Sequence, residues 1–430
     1  MSMARIFAWI VSLIGGAMIV LRGQQGHPQA AGLSPIIPPA RPQGIMSLKM
    51  PTALGWPAGK MPVAAPGLKV NAFARNLDHP RCLHVLPHGD VLVAEALTLP
   101  GNPTGLMSYA VETTMMRAGA LGPSANRITL LRDADGDGVA EIAEPLLTGL
   151  NQPFGMALVD GTLYVGNTNG LMAFPYELGS TRITAPGKRL LTFKTGGHWT
   201  RNLIVSPDKT RLYVSVGSLS NIGDAGLEVE EGRACIYEVD LKTGASRIFA
   251  SGLRNPVGMA FEPTTGKLFT VVNERDGLGD ETPPDYLTSV QDGGFYGWPF
   301  SYWGKTVDDR VPQDAAMVAK ALQPDFALGG HTASLGLCWV PAGTLPGYPA
   351  GMAIGQHGSW NRSILSGYRM IFVPFAGGGA VGPARDLLTG FLTPDERGSY
   401  GRPVGTAVAA DGSLLMADDV GNVIWRVTGA

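Results

Sequence analysis

The feature that most constrains the fold of this chain is a strand–turn–strand phrase that returns along its length. In each copy, alternating apolar residues lead into a turn rich in Gly, Asp or Pro, and a second apolar run follows. Period-2 alternation around such turns is typical of β-hairpins. The copies read LHVLPHGDVLVAEA, GMALVDGTLYVGNT, LIVSPDKTRLYVSVG, GMAFEPTTGKLFTVVNE and GTAVAADGSLLMADD.

The spacing of the copies predicts how many units the fold contains. The second strands begin at Val91, Leu163, Leu212, Leu268 and Leu414. GMAIGQHG around Met352 is a further, more divergent copy. A repeat longer than about 40 residues with four short strands per unit is typical of a β-propeller. We therefore predict an all-β fold, a six-bladed β-propeller over residues 70–430, with a two-domain β-sandwich as the alternative. Helices are expected only in insertions such as 308–320.

Composition narrows the class of protein. Gly contributes 59 and Pro 33 of the 430 residues, which opposes long helices because both residues destabilise helix interiors. Charged residues make up 16% and hydrophobic residues 45% of the chain, so intrinsic disorder is excluded. The 33 basic residues do not outnumber the 35 acidic ones, which argues against a nucleic-acid partner. Three dispersed cysteines indicate neither a zinc site nor a disulfide framework.

The N-terminal residues predict a targeting segment. An uncharged apolar run, residues 6–21, lies between Arg5 and Arg22. At 1.5 Å per residue it would span about 24 Å, less than the roughly 30 Å hydrocarbon core of a membrane. Residues 1–22 are therefore a signal peptide or a short membrane anchor, and the Pro-rich residues 23–69 are expected to form a flexible tether. The protein is expected on the periplasmic side of the inner membrane, anchored there, or secreted to the periplasm if the segment is cleaved.

One contiguous motif predicts a metal site. RDADGDGVAEIAE matches D-x-D-x-D-G-x5-E, the calcium loop of EF-hands. Three carboxylates and a backbone carbonyl would surround the ion, and the last acid would complete its shell. The predicted ligands are Asp133, Asp135, Asp137, the carbonyl of Val139, and Glu144. We expect a structural calcium site, and a solvated acidic turn is the alternative.

A second group of motifs is dispersed and combines glycines with cationic or aromatic residues. The phrases are GGHWTRN with His198, Trp199 and Arg201, GLRNPVGMAF with Arg254 and Asn255, GSWNRS with Arg362, and YGRPVG with Arg402. Together they predict a cationic, aromatic-lined pocket for an anionic planar ligand. His331, in GGHTAS, competes with His198 for the role of a catalytic base.

A glycine-rich stretch raises a nicotinamide cofactor as an alternative. Gly377, Gly379 and Gly382 have the G-x-G-x-x-G spacing. Pro383 follows at once, however, and no βαβ alternation surrounds the stretch, as a dinucleotide loop requires. A glycine-rich hairpin loop is the better interpretation.

In this order, the phrases resemble the sorbosone dehydrogenase branch of the pyrroloquinoline quinone (PQQ) dependent sugar dehydrogenases. The resemblance begins near Asn71 and is carried by GGHWTRNL, GSLSNIG, GLRNPVGMAFEP, VVNERDGLGD, PDYLTSV, GGFYGWP and DDVGNVIWRV. It implies a propeller with PQQ over the channel mouth and a calcium ion beside the cofactor. The implied reaction is oxidation of an aldose, or of L-sorbosone to 2-keto-L-gulonate, with electrons passing to a membrane quinone or a soluble carrier.

The resemblance also implies roles for single residues. His198 would be the general base, and Arg254 and Asn255 would polarise the quinone oxygens. The residues assigned to cofactor binding are Gln152, Arg201, Asn361, Arg362 and Arg402, and the calcium beside the cofactor would take backbone carbonyls near Glu274 and Arg275.

Three departures from the soluble glucose dehydrogenases lower the positive charge of the pocket or remove an acid. Gly197 stands where those enzymes have an acidic residue, and Asn361 stands where they have a lysine that contacts PQQ. Tyr400 stands where they have a second arginine. An NAD(P)-dependent, membrane-bound sorbosone dehydrogenase is therefore kept as the second interpretation. A propeller that only binds sugars or a protein partner is the third, and a lactonase-like hydrolase the fourth.

Overall fold

The computed structural model describes residues 30–42 and 48–430. The apolar run 6–21, which predicts a signal peptide or anchor, lies outside those residues. Among the helices that the model does describe, none is both long enough and apolar enough to cross a membrane.

Most of the described strands form six antiparallel sheets in which consecutive strands are neighbours, as hairpin connections require. Two two-stranded sheets lie outside these six: Thr52–Ala53 with Gly398–Ser399, and Ser301–Tyr302 with Thr306–Val307. We number the six sheets as blades 1–6 in chain order. Blades 1–3 consist of Pro80–Val85, Val91–Glu95, Arg127–Arg132 and Ile142–Leu147; Pro153–Val159, Thr162–Asn167, Gly170–Pro175 and Lys188–Thr192; and Leu203–Val205, Arg211–Val216, Cys235–Asp240 and Ser246–Ser251. Blades 4–6 consist of Pro256–Phe261, Leu268–Val272, Pro284–Ser289 and Phe326–Gly330; Ser334–Val340, Gly351–Gln356, Arg369–Ala376 and Arg385–Thr389; and Pro403–Val408, Leu414–Asp418, Val423–Gly429 and Leu68–Ala74.

The repeats found in the sequence correspond one to one to the blades. The residues that mark the repeats, from Val91 to Leu414 and including Met352, all lie in the second strand of a blade. The prediction of a six-bladed propeller is therefore confirmed, and the two-domain sandwich is excluded.

The ring is closed by a strand from the N-terminal part of the chain. Leu68–Ala74 pairs antiparallel with Val423–Gly429 and so becomes the fourth strand of blade 6. The predicted domain boundary at residue 70 falls inside this strand. Because the two ends of the ring share one sheet, opening it would break strand pairing as well as packing between blades.

The described part of residues 23–69 differs from the predicted flexible tether. Thr52–Ala53 pairs in parallel with Gly398–Ser399, and Val63–Ala64 extends blade 5 by one strand. Gly32 forms a β-bridge to Ala327 in blade 4. The physical reason is that blade edges expose unpaired backbone groups, which an extended segment can satisfy.

The first strands of neighbouring blades pack against each other around the axis, and glycines permit this. A Cβ at Gly336 would lie 2.0 Å from the carbonyl oxygen of Val404, and a Cβ at Gly405 would lie 2.5 Å from that of Arg81. Only glycine tolerates such an approach. The centre of the ring keeps a cavity of about 170 Å³, lined by first-strand residues of all six blades. A ligand as large as a sugar or a quinone is therefore expected at one end of the ring.

Helices occur in insertions between strands. Ala315–Lys320 lies in the predicted insertion, where the side chain of Asp314 caps it by accepting from the amides of Ala316 and Met317. Leu106–Arg117, between the second and third strands of blade 1, was not predicted.

Candidate active site

The topology brings loops of all six blades together at one end of the ring, which we call the mouth. In each blade the first strand begins where the antiparallel second strand ends, as the pairs Pro153↔Asn167 and Pro403↔Asp418 show. Residues just before a first strand or just after a second strand therefore face the mouth. Among the predicted residues, those directly before a first strand are Gln152, Asn255 and Arg402.

His198 lies at the mouth with its two ring nitrogens in different surroundings. Nδ1 lies 3.0 Å from the carbonyl oxygen of Ser218 and 3.1 Å from its hydroxyl. A carbonyl only accepts, so Nδ1 carries the hydrogen and Nε2 presents a lone pair. Nε2 makes no hydrogen bond within the described part of the chain. Burial, together with the positive charge of Arg254, lowers the pKa of His198 to about 3, so the ring is a neutral base.

Two buried arginines hold the His198 loop from behind. Arg201 Nη1 donates to the carbonyl of His198 at 2.8 Å, and Arg233 Nη2 donates to those of Gly196 at 2.7 Å and His198 at 3.0 Å. Arg201 is fully buried, and this burial lowers its pKa to about 9. Its guanidinium is occupied by loop carbonyls, so its position favours support of the loop over the predicted cofactor contact.

Arg254 and Asn255 lie beside His198, as the prediction of one shared pocket requires. A Cβ at Gly217 would lie 2.3 Å from Asn255 Oδ1 and 2.6 Å from His198 Cβ, so both residues converge on that glycine. Arg254 is held by Asn221, whose backbone oxygen accepts from Nε at 3.1 Å and whose Oδ1 accepts from Nη2 at 2.9 Å. Asn255 Oδ1 is buried and has no partner among the described residues.

Asp276 joins Arg254 to blade 5 and was missed by the sequence analysis. Its Oδ2 accepts from Arg254 Nη2 at 3.2 Å, and its Oδ1 accepts from Asn361 Nδ2 at 2.7 Å. His331 Nδ1 lies 3.4 Å from the same Oδ1. Burial by itself would raise the pKa of Asp276, but Arg254 and His331 outweigh it and lower the value to about 2. Asn361 Oδ1 remains buried without a partner in the described structure.

The opposite side of the mouth is organised around Asp419, which follows the second strand of blade 6. Its Oδ2 is bound by Arg81 Nη1, by His357 Nε2 at 2.7 Å and by His79 Nε2 at 3.2 Å. These bonds hold the pKa of Asp419 well below its usual value although burial opposes this. Arg402 Nε donates to the carbonyl of His357 at 3.1 Å, which places the predicted Arg402 beside this group.

The group around Asp419 could have been predicted from the positions of its residues in the repeats. His357 and Asp419 each follow the second strand of a repeat, just as Arg402 precedes a first strand. Once a propeller is inferred, both kinds of position face the mouth. Listing the residues that follow each second strand would have found both.

Trp199 lies between the two sides. The Arg81 guanidinium carbon lies 5.6 Å from the centre of its ring, and Phe154 meets it edge-on at 6.0 Å. Its Nε1 donates to Thr98 Oγ1 at 2.8 Å. Of the predicted aromatic lining, the structure therefore places one half-buried indole at the mouth.

Arg362 and Gln152 make contacts that differ from the predicted cofactor binding. Arg362 Nη1 donates to the carbonyl of Gly330 at 2.9 Å, and Nη2 to Glu281 Oε1 at 2.6 Å. Gln152 Nε2 donates to the carbonyl of Leu97 at 2.9 Å. Arg362 is therefore placed to support a loop, while Gln152 keeps only its Oε1 without a hydrogen bond to described residues.

One of the carbonyls predicted to bind calcium beside the cofactor, that of Glu274, faces a cation. Arg254 Nη1 donates to the carbonyl of Glu274 at 2.6 Å, which sets a guanidinium where a metal ion would have to sit. The side chain of Arg275 is buried, with Nε 3.2 Å from Asp308 Oδ2. These contacts do not fit a calcium ion at Glu274, and no catalytic step is assigned to one.

The Asp133 loop gathers carboxylates, with one correction to the predicted set. Oxygens of Asp133, Asp135, Asp137 and Glu141 all lie within 4.8 Å of one another. Glu144 is not in this group, because a blade strand begins at Ile142 and pairs Glu144 with Leu130. The twelve-residue spacing presupposes a helix after the loop, and here a strand follows.

The glycine-rich stretch is a hairpin, as expected. The last strand residues Phe375 and Ala376 pair with Ala380 and Gly379, so the glycines form a turn on blade 5. No dinucleotide loop is formed there, and an NAD(P) cofactor receives no support.

Comparisons with known proteins show which sequences are similar to this chain. A family model described as TrAA12-like matches residues 121–285. An uncharacterised protein of Borreliella burgdorferi is 32% identical over 235 residues, covering 54% of this chain and 60% of that protein. A pyrroloquinoline quinone-dependent sugar dehydrogenase of Hypocrea jecorina is 26% identical over 271 residues, covering 56% of this chain and 57% of that protein. The chain thus spans little more than half the length of these curated relatives.

Solved structures show the same architecture. The holo form of the PQQ domain of a pyranose dehydrogenase from Coprinopsis cinerea superposes with a TM-score of 0.68 at 19% identity, covering 87% of this chain and 98% of that one. At this identity the likeness shows a shared fold alone.

Proposed function

We propose that this protein is a PQQ-dependent dehydrogenase that oxidises a sugar or a sugar aldehyde at the mouth of the propeller. The observation that carries the proposal is His198, a neutral histidine with a free Nε2, placed beside Arg254 and Asn255. A general base next to fixed positive charge is what removal of a hydroxyl proton and a hydride requires. The relative described as a PQQ-dependent sugar dehydrogenase agrees with this chemistry.

The residues at the mouth fit an anionic quinone. PQQ carries carboxylates, quinone oxygens and a pyrrole N–H. Arg254 and Arg402 supply cations on two sides, and Arg402 Nη1 makes no hydrogen bond within the described structure. The buried oxygens Asn255 Oδ1 and Asn361 Oδ1 lack partners among the described residues, so each can accept from a ligand donor. PQQ, when bound, would supply the acceptor for the hydride.

The chain's own residues would handle the proton and the charge. His198 Nε2 is the atom placed to take the hydroxyl proton of an aldose, or of the hydrate of an aldehyde such as L-sorbosone. Its pKa is lowered, so the ring is neutral and Nε2 is unprotonated across the physiological pH range. Arg254, held by Asn221 and Asp276, needs no rearrangement to stabilise negative charge that develops nearby.

The Asp133 loop would serve stability rather than catalysis. The backbone of the loop is hydrogen-bonded to the strand Leu68–Ala74 of blade 6. Asn71 Nδ2 of that strand donates to the carbonyl oxygen of Gly138 at 3.1 Å, and the backbone amide of Ala140 donates to the carbonyl oxygen of Phe73 at 2.7 Å. The loop itself belongs to blade 1. A calcium ion in it would therefore strengthen the junction at which the ring closes.

The acceptor and the location follow from the same proposal. Electrons would pass to a membrane quinone or a soluble carrier, and residues 1–22 would place the protein on the periplasmic side of the inner membrane. The assay that tests the activity also determines which sugar is oxidised.

The decisive experiment reconstitutes the purified chain with PQQ and follows dye reduction with glucose and L-sorbosone. Turnover that requires PQQ is the expected result. Sugar binding without turnover would replace the proposal with a non-catalytic binding propeller. Turnover with NAD(P) alone would overturn the cofactor.

A further inference from the structure

Residues 48–60, which we call the strap, pair with the loop that leads into blade 6. The amide of Thr52 donates to the carbonyl oxygen of Arg397 at 2.9 Å, and the amide of Leu54 donates to that of Ser399 at 2.8 Å. The two segments run parallel. The strap therefore holds the backbone of the segment from which the first strand of blade 6 begins.

The strap also reaches the mouth through one side chain, that of Trp56. Its Nε1 donates to Asp418 Oδ2 at 2.6 Å, and the backbone amide of Arg402 donates to Asp418 Oδ1 at 2.8 Å. Asp418 is fully buried and ends the second strand of blade 6. One carboxylate therefore links the strap to the residue that supplies a cation on this side of the mouth.

Every group that binds Asp418 can only donate. Trp425 Nε1 donates to Oδ2 at 3.0 Å, and the amide of Gly421 donates to Oδ1 at 2.8 Å. Indole and backbone N–H groups have no tautomer in which they accept. Four fixed donors thus hold the carboxylate in one orientation, in which it binds Trp56 and Arg402 at the same time.

Two glycines make room for these contacts. A Cβ at Gly401 would overlap Asp418 Oδ2, and a Cβ at Gly421 would overlap both that oxygen and Trp56 Cδ1. A larger residue at either position would separate the carboxylate from the strap. The phrases YGRPVG and DDVGNV therefore contain the glycines that let the strap approach.

The guanidinium of Arg402 is held by a loop of blade 5, and the strap contacts that loop as well. Arg402 Nε donates to the carbonyl oxygen of His357 at 3.1 Å, and Nη2 donates to that of Gly358 at 3.2 Å. The amide of Lys49 donates to the carbonyl oxygen of Trp360 at 2.9 Å. Both supports of Arg402 are therefore in contact with the strap.

We propose that the strap completes the active site, with Trp56 as a positioning residue that acts through Asp418 on Arg402. This inference rests on the proposed function. An arginine held at its amide and at two guanidinium nitrogens keeps its third nitrogen, Nη1, in a fixed place. A fixed cation binds an anionic quinone more tightly than a mobile one, because less freedom is lost on binding.

The link between the strap and Arg402 can be measured without a cofactor. Trp56→Phe keeps an aromatic ring and removes the N–H that binds Asp418. In the full chain, hydrogen exchange of the Arg402 amide, followed by mass spectrometry, should become about tenfold faster or more, as loss of a hydrogen bond to a charged group predicts. Unchanged exchange at Arg402 would overturn the proposal.

A second measurement asks whether the link matters for the ligand. In PQQ titrations of the full chain, Trp56→Phe should raise the dissociation constant about tenfold, since small displacements of a binding group lower affinity steeply. In a chain that already carries Arg402→Met, the same substitution should have no further effect, because Trp56 acts through Arg402. Equal effects in both chains would show a general structural role and overturn the proposal.

The matched control is Trp339→Phe. Trp339 lies in the first strand of blade 5, where it meets Phe375 edge-on at 5.7 Å, and its Nε1 makes no hydrogen bond among the described residues. The control should change neither exchange at Arg402 nor PQQ binding. If the unmodified protein does not bind PQQ, the proposed function fails, and exchange at Arg402 still decides whether Trp56 positions this residue.

Discussion

The Asp133 loop and the mouth are the two main polar centres of the described structure, and they are built in opposite ways. The four carboxylates of the loop come from residues 133–141 and are largely exposed. The mouth takes its polar groups from loops of several blades, and Arg254, Asp276 and Asp419 are bound to residues far away in sequence. One centre needs only a local turn, whereas the other needs the closed ring.

This difference separates stability from catalysis. The loop bridges blades 1 and 6 without reaching the mouth, so changes in it should alter unfolding and leave turnover intact. The mouth holds a neutral histidine, cations and unsatisfied acceptors on a rigid support, so under the proposed function conservative changes there should alter turnover more than unfolding. The variants below test that separation, from the largest expected effect to the smallest.

The largest effect is expected for His198→Ala. Loss of a general base lowers kcat by about 10²–10⁴-fold, whereas PQQ affinity and the unfolding temperature should change little. Steady-state dye reduction, PQQ titration and thermal unfolding of the same preparation measure the three quantities. A kcat within about threefold of the unmodified protein would remove His198 from the reaction.

Arg254→Met should be the next most damaging change. It removes the guanidinium beside His198 and the Nη2 donor that binds Asp276 Oδ2, so kcat should fall about 10²–10³-fold and PQQ should bind more weakly. Arg247→Met, which breaks an exposed pair with Asp292, is the matched control and should have almost no effect. Equal effects of the two variants would show that Arg254 acts by general charge alone.

The loop should respond to calcium through unfolding only. Calcium at about 100 times its Kd stabilises a folded site by about 2.7 kcal/mol, which should raise the unfolding temperature by about 3 °C or more. Glu141→Gln should abolish this shift, and Glu144→Gln should keep it, because Glu141 and not Glu144 lies with the three aspartates. The opposite pattern would restore the ligand set that the motif predicts, and a change in kcat would contradict the separation.

The smallest effect concerns the buried Glu274. Burial raises its pKa to about 8, so the folded protein holds this proton more tightly than the unfolded chain. Stability is therefore lost as pH rises from the ordinary carboxyl range through about 8. Glu274→Gln cannot ionise, so its unfolding temperature should exceed that of the unmodified protein by a margin that grows as pH rises through about 8. Parallel pH profiles would contradict this, and the exposed Glu177→Gln serves as the control.

Much of the fold was predictable because each blade repeats its own local pattern. The apolar alternation around the turns placed Val91 and Leu414 in second strands without any knowledge of the ring. The segment before residue 68 was not predictable, since its Pro-rich composition does not reveal that Val63–Ala64 would find a blade edge.

The site was predictable where a phrase carries both the residue and its neighbours. GGHWTRN indicated His198, and GLRNPVG indicated Arg254 and Asn255, which the structure brings together around Gly217. The roles of Arg201 and Arg362 were not predictable, because an arginine that binds loop carbonyls and one that binds a ligand look alike in a sequence. The structure sets Glu144 apart from the three aspartates for a similar reason: a motif fixes spacing but not whether a helix or a strand follows.

The sequence by itself determined the number of blades, the acidic loop and the histidine and arginine phrases, because these depend on interactions between residues close together in the chain. The tertiary structure alone decided which polar groups share one mouth. Asp276 binds Asn361 because the neighbouring blades 4 and 5 pack together, and Asp419 binds Arg81 because closure of the ring brings blade 6 to blade 1. The protonation of His198 is decided in the same way, because it depends on the partners that the ring meets in space rather than on its neighbours in sequence.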